Sequence, residues 1–281
     1  AEGFALRQAG EQAQGATAYV TLDPCAHYGR TPPCAEALVK AQVKKVVVAC
    51  PDPNPLVAGK GVQILKNAGI EVEIGICEDL AAQLNQGFLK AMSTGMPYVR
   101  LKVASSLDGR TAMASGESKW ITGSAARQDV QHWRAISGAV ITGIDTVLAD
   151  DCLLNVRQLP DVEDINTVVQ PKRVILDRQG RLPLDAQILQ QPDTVMVMGP
   201  FRPELAQLGV IQLEIQSLES LLRTLKDFQI YDVLVEAGAT LSSAFLQQGL
   251  VDELISYVAP TLLGQSARAM FNAEFEHLAE Q

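Results

Sequence analysis

Residues 17–36 read TAYVTLDPCAHYGRTPPCAE, and this stretch decides the fold of the first part of the chain. The run from Thr17 to Leu22 is rich in β-branched residues and predicts a strand that ends shortly before Cys25. Pro33 favours the start of a helix at Cys34, because a proline at a helix N-terminus has no N–H to lose. The positive end of that helix stabilises a thiolate, so we expect a lowered pKa for Cys34. Two thiols at a strand end and a helix start can then share one metal ion.

Length and charge limit the classes of protein to which the chain can belong. With 281 residues, 47% of them hydrophobic, the chain is expected to form two globular domains. Its formal net charge of -9 disfavours a nucleic-acid partner, which needs a basic surface, but small anionic substrates stay open. The sequence has no apolar run of membrane-spanning length and no secretory leader pattern, so we expect a cytoplasmic protein with no membrane contact. Five cysteines in a chain of this length do not suggest a disulfide framework.

Helical and strand-like segments alternate along the chain, which predicts an α/β fold with a parallel sheet covered by helices. The last helix of the first part is predicted to run unbroken from Glu78 to Ser93. Residues 94–97, Thr-Gly-Met-Pro, break the pattern, so we place a domain boundary between residues 95 and 96. Residues 151–170 are polar and lack periodicity, and we expect them to form a surface loop near a site.

The two cysteines fit the ligand pattern of a zinc deaminase. In such enzymes a His-x-Glu pair opens one helix and a Pro-Cys…Cys set opens another, and the glutamate moves protons without binding the metal. Here Glu2 opens a predicted helix, and Pro24 precedes Cys25. A histidine directly before Ala1 would complete the set of ligands, so we expect the first domain to begin upstream of Ala1.

Three motifs in the first part resemble the deaminase half of the bifunctional deaminase/reductase family of riboflavin biosynthesis. They are Ala1-Glu2-x-x-Ala5-Leu6, residues 15–34 and Asp52-Pro53-Asn54-Pro55, and the eight-residue gap between the two cysteines is typical of that family. The resemblance implies a cytidine-deaminase-like α/β/α domain over residues 1–95. It also implies that Cys25 and Cys34 bind zinc and that Glu2 is the general acid and base of the deamination.

A second candidate site follows the predicted strand that ends at Glu236. Residues 233–242, VLVEAGATLS, lead from that strand through a glycine turn into a helix. The first N–H groups of the helix and the Thr240 hydroxyl suit a phosphate. By itself, however, a glycine between a strand and a helix is more often only a tight connection.

Four segments of the second part resemble the reductase half of the same family: residues 102–110 (KVASSLDGR), 116–122 (GESKWIT), 146–151 (TVLADD) and 236–238 (EAG). The resemblance implies a dihydrofolate-reductase-like α/β domain over residues 96–281, which uses NADPH and which in the family extends further than Gln281. It implies cofactor contacts from Ala104, Trp120, Thr146, Asp150, Gly238, Ala239, Thr240, Leu241 and Ser242. It implies substrate contacts from Ser118, Arg134, Leu154, Arg157 and Glu236, and it places Lys102 and Asp108 near the reacting sugar. Arg134 and Arg157 suit a 5′-phosphate, because a guanidinium can hold it by two parallel hydrogen bonds.

We therefore predict a two-step enzyme of riboflavin biosynthesis. Zinc-dependent deamination of 2,5-diamino-6-ribosylamino-4(3H)-pyrimidinone 5′-phosphate is followed by NADPH reduction of the ribosyl group to ribityl. Family members tend to form dimers or larger assemblies, so a homo-oligomer is expected. One alternative is a monofunctional reductase with an incomplete, inactive deaminase domain. A nucleic-acid-editing deaminase is disfavoured by the acidic charge, and a purely structural zinc module by the presence of only two suitably placed thiols.

Overall fold

The computed structural model describes residues 1–28, 32–54, 57–214 and 216–272. The chain divides into two compact units, Ala1–Gly95 and Met96–Gln281. Each unit has its own parallel sheet and its own apolar core. None of the helices in the described ranges combines the length and the apolar character that crossing a membrane requires.

The first unit contains a three-stranded parallel sheet and five α-helices in its described part. Its strands lie in the order β1 (Thr17–Leu22), β2 (Lys45–Cys50) and β3 (Glu71–Ile74). Its helices are α1 (Glu2–Ala9), α2 (Cys34–Lys40), α3 (Lys60–Asn67), α4 (Glu78–Leu84) and α5 (Gln86–Thr94), and a 3-10 helix, Gly10–Ala13, follows α1. Val46 and Val48 of the central strand pack with Leu38 of α2 and Leu65 of α3, so alternate residues of β2 enter one core.

The register of this sheet brings two loops to one edge. Leu22, the last residue of β1, pairs with Cys50, the last residue of β2. Because the two strands are parallel, the segments that follow them leave the sheet at the same edge. The carboxyl edge of a parallel sheet is where α/β proteins bind their ligands, and here it carries Cys25 after β1 and Asp52 after β2.

The prediction of a single helix from Glu78 to Ser93 is wrong, because two helices, α4 and α5, meet at Asn85. The Asn85 side-chain amide donates to the carbonyl oxygen of Ala81 at 2.8 Å, and its backbone has φ -122° and ψ 20°. Asparagine disfavours a helix interior because its side chain competes for backbone hydrogen bonds. Gly87, two residues later, is a second weak helix former, so the pair ends one helix and starts another.

The second unit contains a seven-stranded parallel sheet. In the order of the sheet, its strands are β11 (Glu253–Ala259), β4 (Tyr98–Ser106), β10 (Asp232–Glu236), β6 (Ala139–Gly143), β7 (Lys172–Leu176), β8 (Val195–Met198) and β9 (Ile211–Leu213). A small antiparallel pair joins β5 (Arg110–Ala112) to β12 (Arg268–Ala269). The helices are α6 (Ser124–Ile136), α7 (Ile144–Asp150), α8 (Pro203–Gln207), α9 (Leu218–Asp227) and α10 (Ala239–Gln247), with 3-10 helices at Ile165–Thr167, Gln187–Gln190 and Pro192–Thr194.

The central strands of this sheet are buried on both faces, as is usual for parallel sheets. Val233 and Val235 of β10 belong to one apolar cluster, whereas Leu234 belongs to a second cluster. Glu236 follows directly as the last residue of β10, and it pairs in register with Lys102 of β4. The last residue of β10 therefore belongs to a pair of charged residues, Glu236 and Lys102, directly after a segment that is buried in apolar clusters on both faces.

Candidate active sites

The structure brings Glu2, Cys25 and Cys34 together at the carboxyl edge of the first sheet. Cys34 is the first residue of α2, and its backbone N–H donates to the Cys25 sulfur at 3.2 Å. The Cys34 thiol donates to Glu2 Oε2, also at 3.2 Å. The next amide of α2, that of Ala35, donates to the Cys25 carbonyl oxygen at 3.2 Å. The first turn of α2 thus fixes both cysteines relative to each other.

The expected lowering of the pKa of Cys34 is wrong for this arrangement. Burial, and then the neighbouring Glu2 and Cys25 side chains, raise the pKa of the Cys34 thiol to about 12. The partial charge at the helix N-terminus is outweighed because the thiol lies in a half-buried site beside a carboxylate. A coordinating thiol is deprotonated, so metal uptake at this site has to release a proton.

The donor set at this edge fits zinc in its chemistry. Two sulfur donors stand side by side, and sulfur is a preferred zinc ligand in proteins. Glu2 touches one of them and lies where a proton-transferring carboxylate is needed. Across the described residues there is no group of three or more His, Cys, Asp or Glu side chains arranged to hold a metal ion. The described part of the chain therefore offers two sulfur donors that suit zinc, those of Cys25 and Cys34.

The loop after β2 lies beside this cysteine pair. Asp52 Oδ1 accepts the Asn54 backbone N–H at 2.8 Å, so the motif folds into an Asx turn. Burial raises the pKa of Asp52, and the charge of His27 acts in the opposite direction. Asp23, just before Pro24, is 7% exposed, and its Oδ2 accepts the Gly59 N–H at 3.0 Å. Pro55, and Gly29, Arg30 and Thr31 of the cysteine motif, lie outside the described residues.

The second unit contains a cavity of about 760 Å³, lined by residues of β4, β5, β10, β12, α6 and α7 and by the first residues of α10. Most of the residues that the sequence assigned to the reductase site line this cavity. They are Lys102, Ala104, Ser118, Trp120, Arg134, Thr146, Asp150, Leu154, Arg157, Glu236, Gly238, Ala239 and Thr240. Cys152, Leu154 and Arg157 come from the segment that was expected to be a loop near a site, and that segment has only one short 3-10 helix.

Asp108, Leu241 and Ser242 are not among the residues that line the cavity. The Asp108 carboxylate accepts the Ser106 hydroxyl at 2.5 Å and the backbone N–H groups of Leu263 and Gly264 at 3.1 and 2.8 Å. Leu241 packs against an apolar cluster, and the Ser242 hydroxyl donates to the carbonyl oxygen of Ala237 at 3.2 Å. Asp108 therefore stabilises the backbone at Leu263 and Gly264 and does not line the cavity in which substrate and cofactor are expected.

The hydrogen bonds of Asp108 lower its pKa from 3.8 to about 2, the Ser106 hydroxyl having the largest effect. A lowered folded-state pKa stabilises the fold above the unfolded-state pKa, and this stabilisation is lost as the pH falls through about 2. We expect Asp108→Asn to lower the unfolding temperature at neutral pH, with a difference from the wild type that shrinks below about pH 4. Trp120 and Trp133, the two tryptophans of the chain, both lie in the second unit, so tryptophan fluorescence follows its unfolding.

Asp161→Asn is the matched control for this prediction, because Asp161 is exposed and lies in the same unit. We expect it to leave the unfolding temperature unchanged at every pH. A gap between Asp108→Asn and the wild type that stays constant as the pH falls would contradict the proposed role of the carboxylate.

A buried charge cluster lies at the carboxyl end of β10. Arg134 Nε and Nη2 donate to the two Glu236 oxygens at 2.6 and 3.1 Å, and Lys102 Nζ lies 3.8 Å from Glu236 Oε2. Burial alone raises the pKa of Glu236, but Arg134 and then Lys102 outweigh it, so the pKa is lowered. Arg134 Nη1 also donates to the carbonyl oxygen of Asn155 at 3.1 Å. The guanidinium that was predicted to clamp a phosphate is thus engaged by protein groups, whereas Arg157 lines the cavity and is exposed.

Several lining residues were missed by the sequence analysis. On α6, Arg127 lies with its guanidinium carbon 4.3 Å from the centre of the Trp120 ring, and Gln131 Oε1 accepts the Arg157 backbone N–H at 2.9 Å. Positions 127, 131 and 134 are spaced by four and three residues, which places them on one face of a helix, so this signal was present in the sequence. Arg268 and Asn272 also line the cavity, but they come from a segment far along the chain that has no comparable pattern.

The cavity carries an excess of positive charge. Its lining contains the cations Lys102, Lys119, Arg127, Arg134, Arg157 and Arg268 and the carboxylates Asp145, Asp150 and Glu236. This balance contrasts with the net charge of -9 of the whole chain, so it is specific to the cavity. A cleft lined by one sign of charge attracts ligands of the opposite sign, here ligands with several phosphate groups.

The turn between β10 and α10 fits a pyrophosphate-bearing cofactor such as NADPH. Gly238 precedes the first turn of α10, and a methyl group placed on its Cα would meet no atom within 4 Å. Backbone N–H groups at the start of this nine-residue helix, and the Thr240 hydroxyl, therefore border open space in the cavity. The Asn272 side-chain amide donates to that hydroxyl at 3.2 Å and fixes its position.

Comparisons with known proteins identify the family of each unit. The chain matches the family model of the RibD C-terminal domain over residues 97–278 and that of the cytidine and deoxycytidylate deaminase zinc-binding region over residues 1–50. It is 51% identical to the riboflavin biosynthesis protein RibD of Haemophilus influenzae, in an alignment that covers 96% of this chain and 76% of the relative.

Two solved structures are similar over nearly the whole chain. Acinetobacter baumannii RibD, form 1, is 87% identical with a TM-score of 0.97, covering 100% of this chain and 79% of that chain. The diaminohydroxyphosphoribosylaminopyrimidine deaminase/5-amino-6-(5-phosphoribosylamino)uracil reductase of Thermotoga maritima is 33% identical with a TM-score of 0.84, covering 99% and 77%. The deaminase domain is recognised as such, so the alternative of a monofunctional reductase is not supported. The chain belongs to the RibD family, the bifunctional enzymes of riboflavin biosynthesis that combine a zinc-dependent deaminase with an NADPH-dependent reductase.

Proposed function

We propose that the first unit deaminates 2,5-diamino-6-ribosylamino-4(3H)-pyrimidinone 5′-phosphate and that the second unit reduces the ribosyl group of the product to ribityl. The observation that carries this proposal is the cavity of the second unit, which gathers the predicted reductase residues around the Glu236–Arg134–Lys102 cluster. Its cationic lining suits a phosphorylated substrate together with a dinucleotide. The name of the Thermotoga maritima relative describes the same pair of reactions for that protein.

In the deaminase unit, Cys25 and Cys34 would bind zinc, and Glu2 transfers the protons of the reaction. When bound, zinc supplies the Lewis acidity on which hydrolytic deamination depends. Glu2, in hydrogen-bond contact with Cys34, takes a proton from the attacking water and delivers it to the departing amino group. One carboxylate therefore serves as base and then as acid in the same turnover.

In the reductase unit, the substrate lies against Lys102, Ser118, Leu154, Arg157 and Glu236, while Ala104, Trp120, Thr146, Asp150 and residues 238–240 contact the cofactor. NADPH supplies the hydride, and the protein supplies orientation and charge compensation. Lys102 lines the cavity with its ammonium 3.8 Å from Glu236, and there it can donate a proton to the sugar. Arg157 binds the 5′-phosphate, because Arg134 is engaged by Glu236.

The test is to assay the two half-reactions separately on the zinc-loaded, full-length protein. Ammonia release from the diaminopyrimidinone measures the first step, and NADPH oxidation with the deaminated compound measures the second. We expect both. If zinc-containing protein oxidised NADPH but released no ammonia, only the reductase would be active. If it did neither, the proposal would be overturned.

Arg157→Gln tests the phosphate contact. We expect KM for the phosphorylated substrate of the reductase to rise by about tenfold or more, since a hydrogen bond to a charged group contributes about 1.5–3 kcal/mol. The KM of the unphosphorylated riboside should not change, because it lacks the group that Arg157 binds. Arg178→Gln is the control, since Arg178 is exposed and does not line the cavity. Equal losses for both substrates would assign Arg157 another role.

We also propose that the enzyme is a cytoplasmic homo-oligomer. The edge strand of the described sheet, β11, supports an assembly, because Leu254 and Val258 on one face of it are 48% and 54% exposed. A face of this kind on an edge strand tends to become covered. Light scattering on the purified protein measures the oligomeric state, and cell fractionation the location.

A further inference from the structure

Asp23 is a buried carboxylate to which the deamination reaction gives no role. It follows β1 directly, two residues before Cys25, and it is 7% exposed. Buried charged groups are rare unless they form ion pairs or hydrogen bonds. Its surroundings therefore indicate what it holds in place.

The carboxylate of Asp23 binds the far end of the loop that follows β2. Its Oδ2 accepts the backbone N–H of Gly59 at 3.0 Å. Gly59 is the N-cap of α3 and has φ 76°, the left-handed conformation that glycine adopts without strain. This side chain thus ties the far end of the loop to the end of β1.

Gly61 brings α3 against the same short segment. A Cβ on this residue would lie 1.7 Å from the carbonyl oxygen of Pro24 and 2.9 Å from its carbonyl carbon. Both atoms belong to backbone, so no side-chain rotation would relieve the clash. The first turn of α3 consequently packs directly on the Pro24–Cys25 peptide, while Ala35 of α2 bonds the Cys25 carbonyl oxygen at 3.2 Å.

We propose that Asp23 is a positioning residue of the deaminase, which together with Gly61 fixes Cys25 and the start of α3 at Gly59 relative to each other. The inference rests on the proposed role of Cys25 as a zinc ligand. Asp23 acts through the Gly59 backbone amide, whose N–H its Oδ2 accepts. Residues that orient the ligands of a metal in this way change its affinity and the activity without touching the substrate.

The experiment compares Asp23→Ala with Asp23→Asn in the full-length protein. Zinc affinity is measured by competition with a chromogenic chelator, and deamination and reduction are assayed separately. We expect Asp23→Ala to weaken zinc binding and to lower kcat for deamination by about 10–100-fold. Asp23→Asn keeps an acceptor oxygen for the Gly59 N–H and should recover most of both. Reduction should be unchanged in each variant, and so should every activity of Asp79→Ala, an exposed aspartate of the same unit.

Gly61→Ala provides a second test of the same inference, because it displaces the Pro24–Cys25 peptide without altering the Asp23 side chain itself. It decides the matter if Asp23→Ala fails to fold, and it should weaken zinc binding in the same way. The inference would be overturned if Asp23→Ala bound zinc and released ammonia as the wild type does. If Asp23→Ala does not fold, the same result in Gly61→Ala would overturn it. An Asp23→Asn variant as defective as Asp23→Ala would do so too. A wild-type protein that neither binds zinc nor releases ammonia would instead overturn the proposed function.

Discussion

Glu236→Ala is expected to abolish reduction and to destabilise the second unit by about 3–5 kcal/mol, since removing one partner of a buried ion pair leaves the other charge uncompensated. Arg134 would keep its guanidinium in a buried site, with the Asn155 carbonyl oxygen as its remaining hydrogen-bond partner among the described residues. Lys102, which lines the cavity, would lose the carboxylate 3.8 Å from its ammonium. Stability and activity therefore depend on the same side chain for different reasons.

The double variant Arg134→Met/Glu236→Leu separates these two effects. Replacing both partners of a buried pair by apolar residues of similar size is often neutral or stabilising, so the double variant should regain stability without activity. Denaturant unfolding followed by tryptophan fluorescence measures the stability of the second unit, because both tryptophans lie there.

Glu219→Ala is the matched control, since Glu219 forms an exposed i,i+4 pair with Arg223 in the same unit. It should change the free energy of unfolding by only about 0.3–0.5 kcal/mol. If Glu236→Ala unfolds at the same denaturant midpoint as Glu219→Ala, the buried pair does not contribute as we expect. Full reductase activity in the double variant would show that Glu236 takes no part in the reaction.

Much of the fold could be predicted because its strongest signals are local. The strand Thr17–Leu22 has in the structure the bounds that the sequence predicted, and β10 ends at Glu236 as predicted. Where the prediction failed, a side chain acted on the backbone in a way that periodicity does not show. Asn85 is the case in point, because its hydrogen bond to Ala81 ends a helix whose apolar pattern continues.

The residues of the reductase site could be named from local motifs, but their partners could not. Glu236 and Arg134 are 102 positions apart, and only the folded sheet shows that they bond to each other. The pKa of Cys34 was misjudged for the same reason, because the helix N-terminus is visible in the sequence, whereas the burial of the thiol and the Glu2 carboxylate beside it are not. Local geometry is encoded by neighbours in the chain, whereas electrostatics depends on neighbours in space.

Glu2→Gln is expected to have a large effect on the other half of the enzyme. Losing a general acid and base lowers the rate by about 10²–10⁴-fold, so kcat for ammonia release should fall by that factor. Glutamine keeps the size of the side chain, and its amide N–H can donate a hydrogen bond to the deprotonated Cys34 sulfur. Zinc content should therefore be unchanged, and so should NADPH oxidation with the deaminated compound, which depends on the second unit.

Two further variants show whether Glu2 acts on protons or on the metal. Cys34→Ser should reduce both zinc content and ammonia release, because it removes a sulfur ligand. Glu11→Gln alters an exposed carboxylate in the segment that follows α1 and should change neither. If Glu2→Gln lost zinc as Cys34→Ser does, the carboxylate would belong to the metal-binding set. If it kept its zinc and its full rate of ammonia release, another group would move the proton. Loss of turnover with zinc retained is the result that assigns the proton transfer to Glu2, because only that result separates the chemistry from the binding of the metal.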